Sequence, residues 1–234
     1  MAGKDIHLVY QHDDFYVVAK PAGSGFHDEK DEQGAVETGF FNQCCGVLGE
    51  TLYPVHRLDK ITSGLLILAR NKDAATWFQQ AFEQKAIQKL YFALGSKKPK
   101  KKQGSILGDM SKARNGQWKL IKSLQNPAVT RFFSWGVESN LSGLRGFLLL
   151  PETGKTHQIR VALKSLGTPI LGDMLYGGEA SDRGYLHAFG LKFDYRGEPV
   201  ELFLPPRQGQ FYQVAFEQLA DKLSNGFELN WPKK

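Results

Sequence analysis

Cysteine is almost absent from this chain: the 234 residues contain two, Cys44 and Cys45, and they are adjacent. Neighbouring cysteines cannot close a stabilising loop or form a spaced metal clip, so a disulfide scaffold is excluded. Long apolar runs are also absent, since the longest ones (64–69 and 146–150) fall far short of the roughly 20 residues that span a bilayer. The N-terminal segment lacks the apolar core of a secretory signal. We therefore expect a cytoplasmic protein without membrane spans.

Motifs for metal or nucleotide chemistry are missing as well. No HxxxH, HExxH or CxxC spacing occurs, and the histidines stand in unrelated segments, which disfavours zinc. No GxxxxGK[ST] phosphate loop and no GxGxxG after a strand is present, which argues against nucleotide-driven chemistry. Magnesium needs only a few carboxylates, such as Asp59, Asp109 and Asp173, so spacing leaves a magnesium-dependent nuclease open.

Charge is present and unevenly distributed. Between Lys85 and Arg131 there are 12 Lys or Arg residues against the single acidic residue Asp109, whereas the rest of the chain is net acidic. Clustered lysines gain affinity by displacing counterions from phosphates, so this segment favours a polyanionic partner. The alternative is a solvated surface loop around the lysine run at 97–102.

Hydrophobic periodicity predicts more strands than helices. A hairpin is expected from strands 6–10 and 15–20, and a helix capped by Asp73 follows the strand 65–69. Gly167, with Pro169 behind it, ends a helix at 157–166. The further predicted strands are 89–94, 118–121, 129–135, 143–150, 185–194 and 200–203, with a final helix at 211–223.

Strands that do not alternate regularly with helices indicate the α+β class, with a mixed, largely antiparallel central sheet and flanking helices. The lysine run is the only low-complexity segment. We therefore expect one catalytic domain over residues 1–234, with two halves joined near residues 95–104.

Two constellations of polar residues could carry chemistry. In HRLDKITSGLLILAR (56–70), His56, Arg57 and Asp59 precede a turn and an apolar strand, and this arrangement presents functional groups at the edge of a rigid core. Asp59 could be a nucleophile or a general base, or it could satisfy local backbone amides. In the segment 151–177, Lys155, His157 and Arg160 stand at the start of a helix, where cations would bind a phosphate or pair with a distant carboxylate.

These segments resemble the RluA-type pseudouridine synthases. HRLDKITSGLLILAR is similar to the aspartate signature of that family, and the further similar segments follow in the family's order. They are VVAKPAG (17–23), KLYFALG (89–95), PETGKTHQIRV (151–161), GTPILGDMLYG (167–177) and LHAFGLKF (186–193). The resemblance covers the chain from about Ile6 to Pro205 and implies the pseudouridine synthase fold with a catalytic cleft. The chain resembles the shorter members of the family, which have no S4 domain.

The resemblance implies roles for single residues. Asp59 is expected to be the catalytic aspartate, Tyr91 the aromatic residue against the target base, and Arg160 the cation paired with Asp59. Arg57 resembles the arginine that helps to evert the target nucleotide. Further substrate contacts are expected from His56, Lys20, Lys155 and His157.

The implied reaction agrees with these residue types. Isomerisation of uridine breaks the glycosidic bond, turns the freed uracil and rejoins it through carbon 5, and one carboxylate can serve this without a metal or a redox cofactor. Everting the uridine calls for an aromatic platform and a basic surface along the RNA backbone. We therefore expect an enzyme of rRNA or tRNA processing. The alternative is a non-catalytic RNA-binding or ribosome-assembly module that uses the same basic cleft. Because the sequence shows no exposed heptad pattern and no obvious sticky edge strand, we expect a monomer.

Overall fold

The computed structural model describes residues 6–30 and 33–233. Two compact units divide the chain, the first ending at Ile87 and the second beginning at Gln88. The predicted junction at 95–104 lies inside unit 2. Within the described residues, no helix is long and apolar enough to cross a membrane.

Unit 1 is built on a short antiparallel sheet. Its order is β1 (Leu8–Gln11), β2 (Phe15–Lys20) and β6 (Thr62–Ala69), and β5 (Tyr53–Pro54) pairs with the other edge of part of β6. The predicted hairpin at the start of the chain is confirmed. All eight residues of β6 are buried, as its near-continuous apolar sequence requires.

Two helices and a small hairpin complete unit 1. The hairpin joins β3 (Glu29–Lys30) to β4 (Val36–Glu37), and α1 (Phe40–Leu48) and α2 (Lys72–Glu83) are the helices. The apolar stripe of α2 places the Phe78 ring edge-on to Phe15 of β2, with centroids 5.1 Å apart.

The predicted cap of α2 is wrong. The N-cap is Asn71, whose side chain accepts a hydrogen bond from the Ala74 backbone N–H at 2.8 Å, and Asp73 lies in the first turn. Asn71 is also held from outside the helix, because its amide donates to Asp14 at 2.7 Å. A distant residue therefore contributes to where the helix begins.

The strands of unit 2 pair antiparallel with one another in the order β13-β12-β7-β11-β10-β8-β9. The strands are β7 (Gln88–Gly95), β8 (Gln103–Lys112), β9 (Trp118–Ile121), β10 (Ala128–Gly136), β11 (Arg145–Pro151), β12 (Leu186–Tyr195) and β13 (Glu198–Phe203). The helices are α3 (Gln158–Ser165) and α4 (Tyr212–Leu223), with short 3₁₀ turns at Met174–Tyr176 and Gly226–Glu228. The α+β class with a largely antiparallel sheet is confirmed.

The two-residue strands β3, β4 and β5 were not predicted from the sequence, and neither were two longer elements, α1 and β8. Helix α1 has no side-chain N-cap and carries Gly46 in its interior, so its start signal is weak and its helix propensity is low, although Gly49 ends it in the left-handed conformation. Strand β8 follows the lysine run and changes its pairing partner along its length, because residues 103–108 pair with β10 and residues 109–112 pair with β9. Gly108 stands where the partner changes, and an added Cβ there would lie 2.7 Å from the carbonyl oxygen of Ile121.

Candidate active-site residues in two units

Asp59 lies half-buried in the loop between β5 and β6, and the turn after it is well fixed. The Asp59 carbonyl accepts a hydrogen bond from the Thr62 backbone N–H at 2.9 Å. The next carbonyl, that of Lys60, accepts one from the Gly23 N–H at 2.7 Å. The loop that carries Asp59 is therefore tied both to the start of β6 and to the segment after β2.

Lys20 anchors this same loop. Its side chain is buried, with 1% of the residue exposed, and its ammonium donates to the carbonyls of Pro21 at 2.9 Å, Thr62 at 3.0 Å and Lys60 at 3.5 Å. These contacts tie Lys20 to the loop that carries Asp59, so Lys20 helps to position that loop. The predicted contact of Lys20 with the substrate stays a prediction.

His56 also has a contact within the fold. Its Nε2 accepts a hydrogen bond from the Ile67 backbone N–H at 2.8 Å, and its ring lies 5.0 Å from that of Phe82. Because Nε2 is the acceptor, a neutral His56 carries its proton on Nδ1. His56 thus fixes the approach of the loop to β6, whereas Arg57 beside it is exposed.

In unit 2, β7 and α3 position the other predicted residues. Tyr91 is half-exposed in the middle of β7, opposite Leu149 of β11 on one side and Ala188 of β12 on the other. Lys89 precedes it by two residues and so lies on the same face of the strand. Burial lowers the pKa of Lys89 below its usual value.

Arg160, in the first turns of α3, is held by a carboxylate from its own unit. Its Nε and Nη2 both lie 2.8 Å from the oxygens of Asp173, and both residues are buried. The guanidinium also lies 4.9 Å from the centre of the Tyr176 ring. A bidentate pair fixes a guanidinium in position and in orientation. The predicted pairing of Arg160 with Asp59 stays a prediction.

The hydroxyl of Tyr176 continues this network. It accepts a hydrogen bond from the Trp118 backbone N–H at 2.9 Å and lies 2.9 Å from Nδ1 of His157. His157 is the N-cap residue of α3 and adopts a left-handed φ of 57°. A non-glycine residue in that conformation is held there by its surroundings. His157 and Arg160 are therefore brought together around one tyrosine.

Lys155 precedes α3 in a turn that Gln158 organises. The amide oxygen of Gln158 accepts from the Lys155 N–H at 3.0 Å, and its amide nitrogen donates to the Val129 carbonyl at 3.0 Å. The ammonium of Lys155 donates to the side chain of Asn126 at 2.9 Å.

Sequence reasoning missed the positioning residues Asp173, Tyr176 and Gln158. Asp173 and Tyr176 stand in the segment GTPILGDMLYG, which the sequence analysis noted, but Asp173 was weighed there only as a metal ligand. Among the described residues, no group of three or more His, Cys, Asp or Glu side chains could hold a metal ion.

Comparisons with known proteins identify the family of this chain. A sequence model of the family described as RNA pseudouridylate synthase matches residues 14–165. A protein of Haemophilus influenzae described as an uncharacterized RNA pseudouridine synthase is 49% identical over 231 residues, which cover 95% of this chain and 98% of that protein. The ribosomal large subunit pseudouridine synthase C of Rickettsia bellii is 31% identical over 188 residues, which cover 78% of this chain and 62% of that protein.

A solved structure shares the fold. The human RNA pseudouridylate synthase domain containing 1 aligns with a TM-score of 0.73 at 24% identity, covering 96% of each chain. The family match spans more than half of this chain, and the Haemophilus relative matches it nearly from end to end. The chain therefore belongs to the RNA pseudouridylate synthase family, whose members are isomerases that convert uridine in RNA to pseudouridine.

Proposed function

We propose that this enzyme isomerises a uridine in structured ribosomal or transfer RNA, with Asp59 as the catalytic carboxylate. The observation that carries the proposal is the fixed loop around Asp59, which the buried ammonium of Lys20 and the Thr62 and Gly23 amides hold at the edge of β6. A reacting group on a fixed loop beside a rigid strand is what preorganised catalysis requires.

The other roles follow from the residue chemistry. Tyr91 packs against the target base, and Arg57, which is exposed beside Asp59, helps to evert the nucleotide. Arg160 pairs with the carboxylate of Asp59 and orients it. Asp173 occupies the Nε and Nη2 donors of Arg160, so the edge formed by Nη1 and Nη2 is the one that can face a second carboxylate.

The reaction is an internal rearrangement. The bond from the ribose C1′ to N1 of uracil breaks, the base turns in place, and a bond from C1′ to C5 forms. The hydrogen of C5 leaves as a proton and N1 acquires a proton, so the product has the same atoms as the substrate. Asp59 serves this sequence as a nucleophile or as a base.

Ribosomal RNA is the favoured substrate class. The Rickettsia relative, 31% identical, is described as a ribosomal large subunit enzyme. Its description is a property of that protein, and it supports a ribosomal target here more than a transfer RNA target.

The test is substitution of Asp59. We expect Asp59→Asn to leave folding and RNA binding unchanged. When the variant is expressed in cells that lack this gene, it should restore no pseudouridine at the target position. Mapping of uridine isomers in those cells, with and without the restored gene, identifies the target. Turnover that survives in the purified Asp59→Asn protein would rule out the role of Asp59. An unchanged cellular function with this variant would instead favour an RNA-binding or ribosome-assembly module.

A further inference from the structure

The backbone of the lysine run (97–102) contacts the C-terminal end of α3. The Lys100 backbone N–H donates to the carbonyl of Leu166, the C-cap residue of α3, at 3.3 Å. The side chains of the run, Lys97, Lys98, Lys100, Lys101 and Lys102, are all exposed. Cations near the C-terminal end of a helix interact favourably with its dipole. The backbone of the run is thus held beside the helix that carries Arg160, with its lysine side chains exposed.

The tip of the β8–β9 hairpin meets the same end of α3. Residues 109–112 of β8 pair with β9, and the resulting hairpin places the side-chain oxygen of Gln117 3.4 Å from the ammonium of Lys164. Lys164 lies in the last turn of α3. The hairpin adds three exposed cations of its own, Lys112, Arg114 and Lys119.

Lys164 connects this surface to the predicted active-site residues. Its ammonium lies 5.4 Å from the centre of the Tyr176 ring, against which Arg160 also packs at 4.9 Å. Residues four apart share one side of a helix. The exposed cations around the end of α3 therefore continue, through Lys164 and Tyr176, to the buried guanidinium of Arg160.

The single acidic residue of the basic segment is used within the fold. The Asp109 carboxylate accepts hydrogen bonds from the Asn126 N–H at 2.9 Å, the Gln125 N–H at 3.1 Å and the Ser123 hydroxyl. These bonds, led by that from Ser123, lower the pKa of Asp109. The ordered loop in turn holds Lys155, at the other end of α3, through Asn126. Asp109 thus orders the loop between β9 and β10.

We propose that the exposed cations of the lysine run (97–102), the β8–β9 hairpin and Lys164 form one RNA-binding surface around the C-terminal end of α3. It binds phosphates of the RNA backbone that flank the target uridine. This inference rests on the proposed function, which assigns the target uridine to the predicted active-site residues.

The salt dependence of RNA binding tests the surface. Three variants, each losing three positive charges, are compared: K98Q/K100Q/K101Q in the run, K112Q/R114Q/K119Q in the hairpin, and the control R196Q/R207Q/K222Q. The control residues are also exposed in unit 2 and lie at the β12–β13 turn, before α4 and within α4. Binding of a fluorescent, mixed-sequence RNA hairpin is measured at several salt concentrations, and circular dichroism verifies the fold of each variant.

Each phosphate contact contributes roughly 0.7 to 0.9 to the slope of log affinity against log salt. We expect the run and hairpin variants each to flatten that slope by about 2, and the control to change it by less than about 0.5. Equal changes in all three variants would overturn the proposal, because net charge alone would then explain binding. A change confined to the hairpin variant would also overturn it and leave the run as a solvated loop.

Asp59→Asn keeps this result separate from the proposed function. That variant should bind the same RNA hairpin with the wild-type slope and form no pseudouridine. If it retains activity, the assignment of Asp59 fails while the salt slopes still decide the surface. If the slopes of the run and hairpin variants match that of the wild type, the surface fails while the assignment of Asp59 stands.

Discussion

The two units bury a cation in different ways. In unit 1 the ammonium of Lys20 donates to backbone carbonyls, whereas in unit 2 the guanidinium of Arg160 forms a bidentate pair with the carboxylate of Asp173. The contacts of Lys20 hold the backbone of the loop that carries Asp59. The pair with Asp173 instead fixes the orientation of the Arg160 side chain. One buried cation therefore orders a loop, and the other is itself held in place by a carboxylate.

The largest expected effect comes from breaking the pair in unit 2. Asp173→Leu leaves the buried guanidinium without this carboxylate, and we expect it to lower the free energy of unfolding by about 3–5 kcal/mol. Urea denaturation measures the loss. The double variant Arg160→Met with Asp173→Leu should recover most of it, because an apolar pair of similar volume often replaces a buried ion pair at little cost. Equal instability of the single and double variants would contradict this account.

His187 is another buried titratable residue of unit 2, and burial favours its neutral form. Its Nε2 donates to the Leu204 carbonyl at 2.7 Å, and burial lowers its pKa from 6.5 to about 4. As the pH falls, the unfolded chain binds the proton first. The free energy of unfolding is therefore unaffected by this group above about pH 6.5. It falls progressively as the pH drops toward 4, by a total of roughly 3 kcal/mol.

Substitution of His187 by Gln removes this titration. Between pH 6.5 and 4, the free energy of unfolding of His187→Gln should fall less steeply than that of the wild type, by at most about 1.4 kcal/mol per pH unit. Chemical denaturation at a series of pH values measures both slopes. Parallel curves for the two proteins would show that His187 is not the group that titrates.

The backbone carbonyls of Pro21, Lys60 and Thr62 form a carbonyl cage around the ammonium of Lys20. Removing that ammonium should affect stability less than breaking the pair in unit 2, and it should also affect turnover. Lys20→Met leaves buried carbonyls without a donor, which costs roughly 1–3 kcal/mol. Because the cage holds the Asp59 loop, kcat should fall while KM for RNA changes little.

Lys60→Met is the matched control for the cage. The Lys60 ammonium pairs with Glu29 at 2.6 Å and with Glu37 at 3.6 Å on the surface, and such pairs contribute at most about 1 kcal/mol. A rise in KM without a fall in kcat for Lys20→Met would indicate that Lys20 contacts RNA directly, as the sequence alone suggested.

The smallest effect concerns the start of α2. Asn71→Ala removes the side chain that accepts from the Ala74 N–H and should cost about 1 kcal/mol. Asp73→Ala removes only a favourable first-turn charge, which is expected to cost about 0.3–0.5 kcal/mol. Thermal or urea unfolding of the two variants ranks them, and a larger loss for Asp73→Ala would restore the sequence-based assignment of the cap.

The sequence predicted elements best where the pattern is local. The strand at 65–69, the helix ended by Gly167 and the alternating strand around Tyr91 all appear close to their expected bounds. The prediction failed for α1, which has weak helix signals, and for β8, whose lysine-rich approach is typical of a loop. Both elements depend on partners distant in sequence, such as β10 for β8.

By itself, the sequence determined the α+β class, the uneven charge and the motifs that led to the pseudouridine synthase family. Periodicity, turn residues and motif spacing are local properties that a chain carries wherever it folds. Only the tertiary structure decided that Asp173 holds Arg160, that Lys20 holds the Asp59 loop and that the lysine run docks on α3. These contacts join residues at separations that follow no helical or strand period, and burial determines which polar groups must find one another.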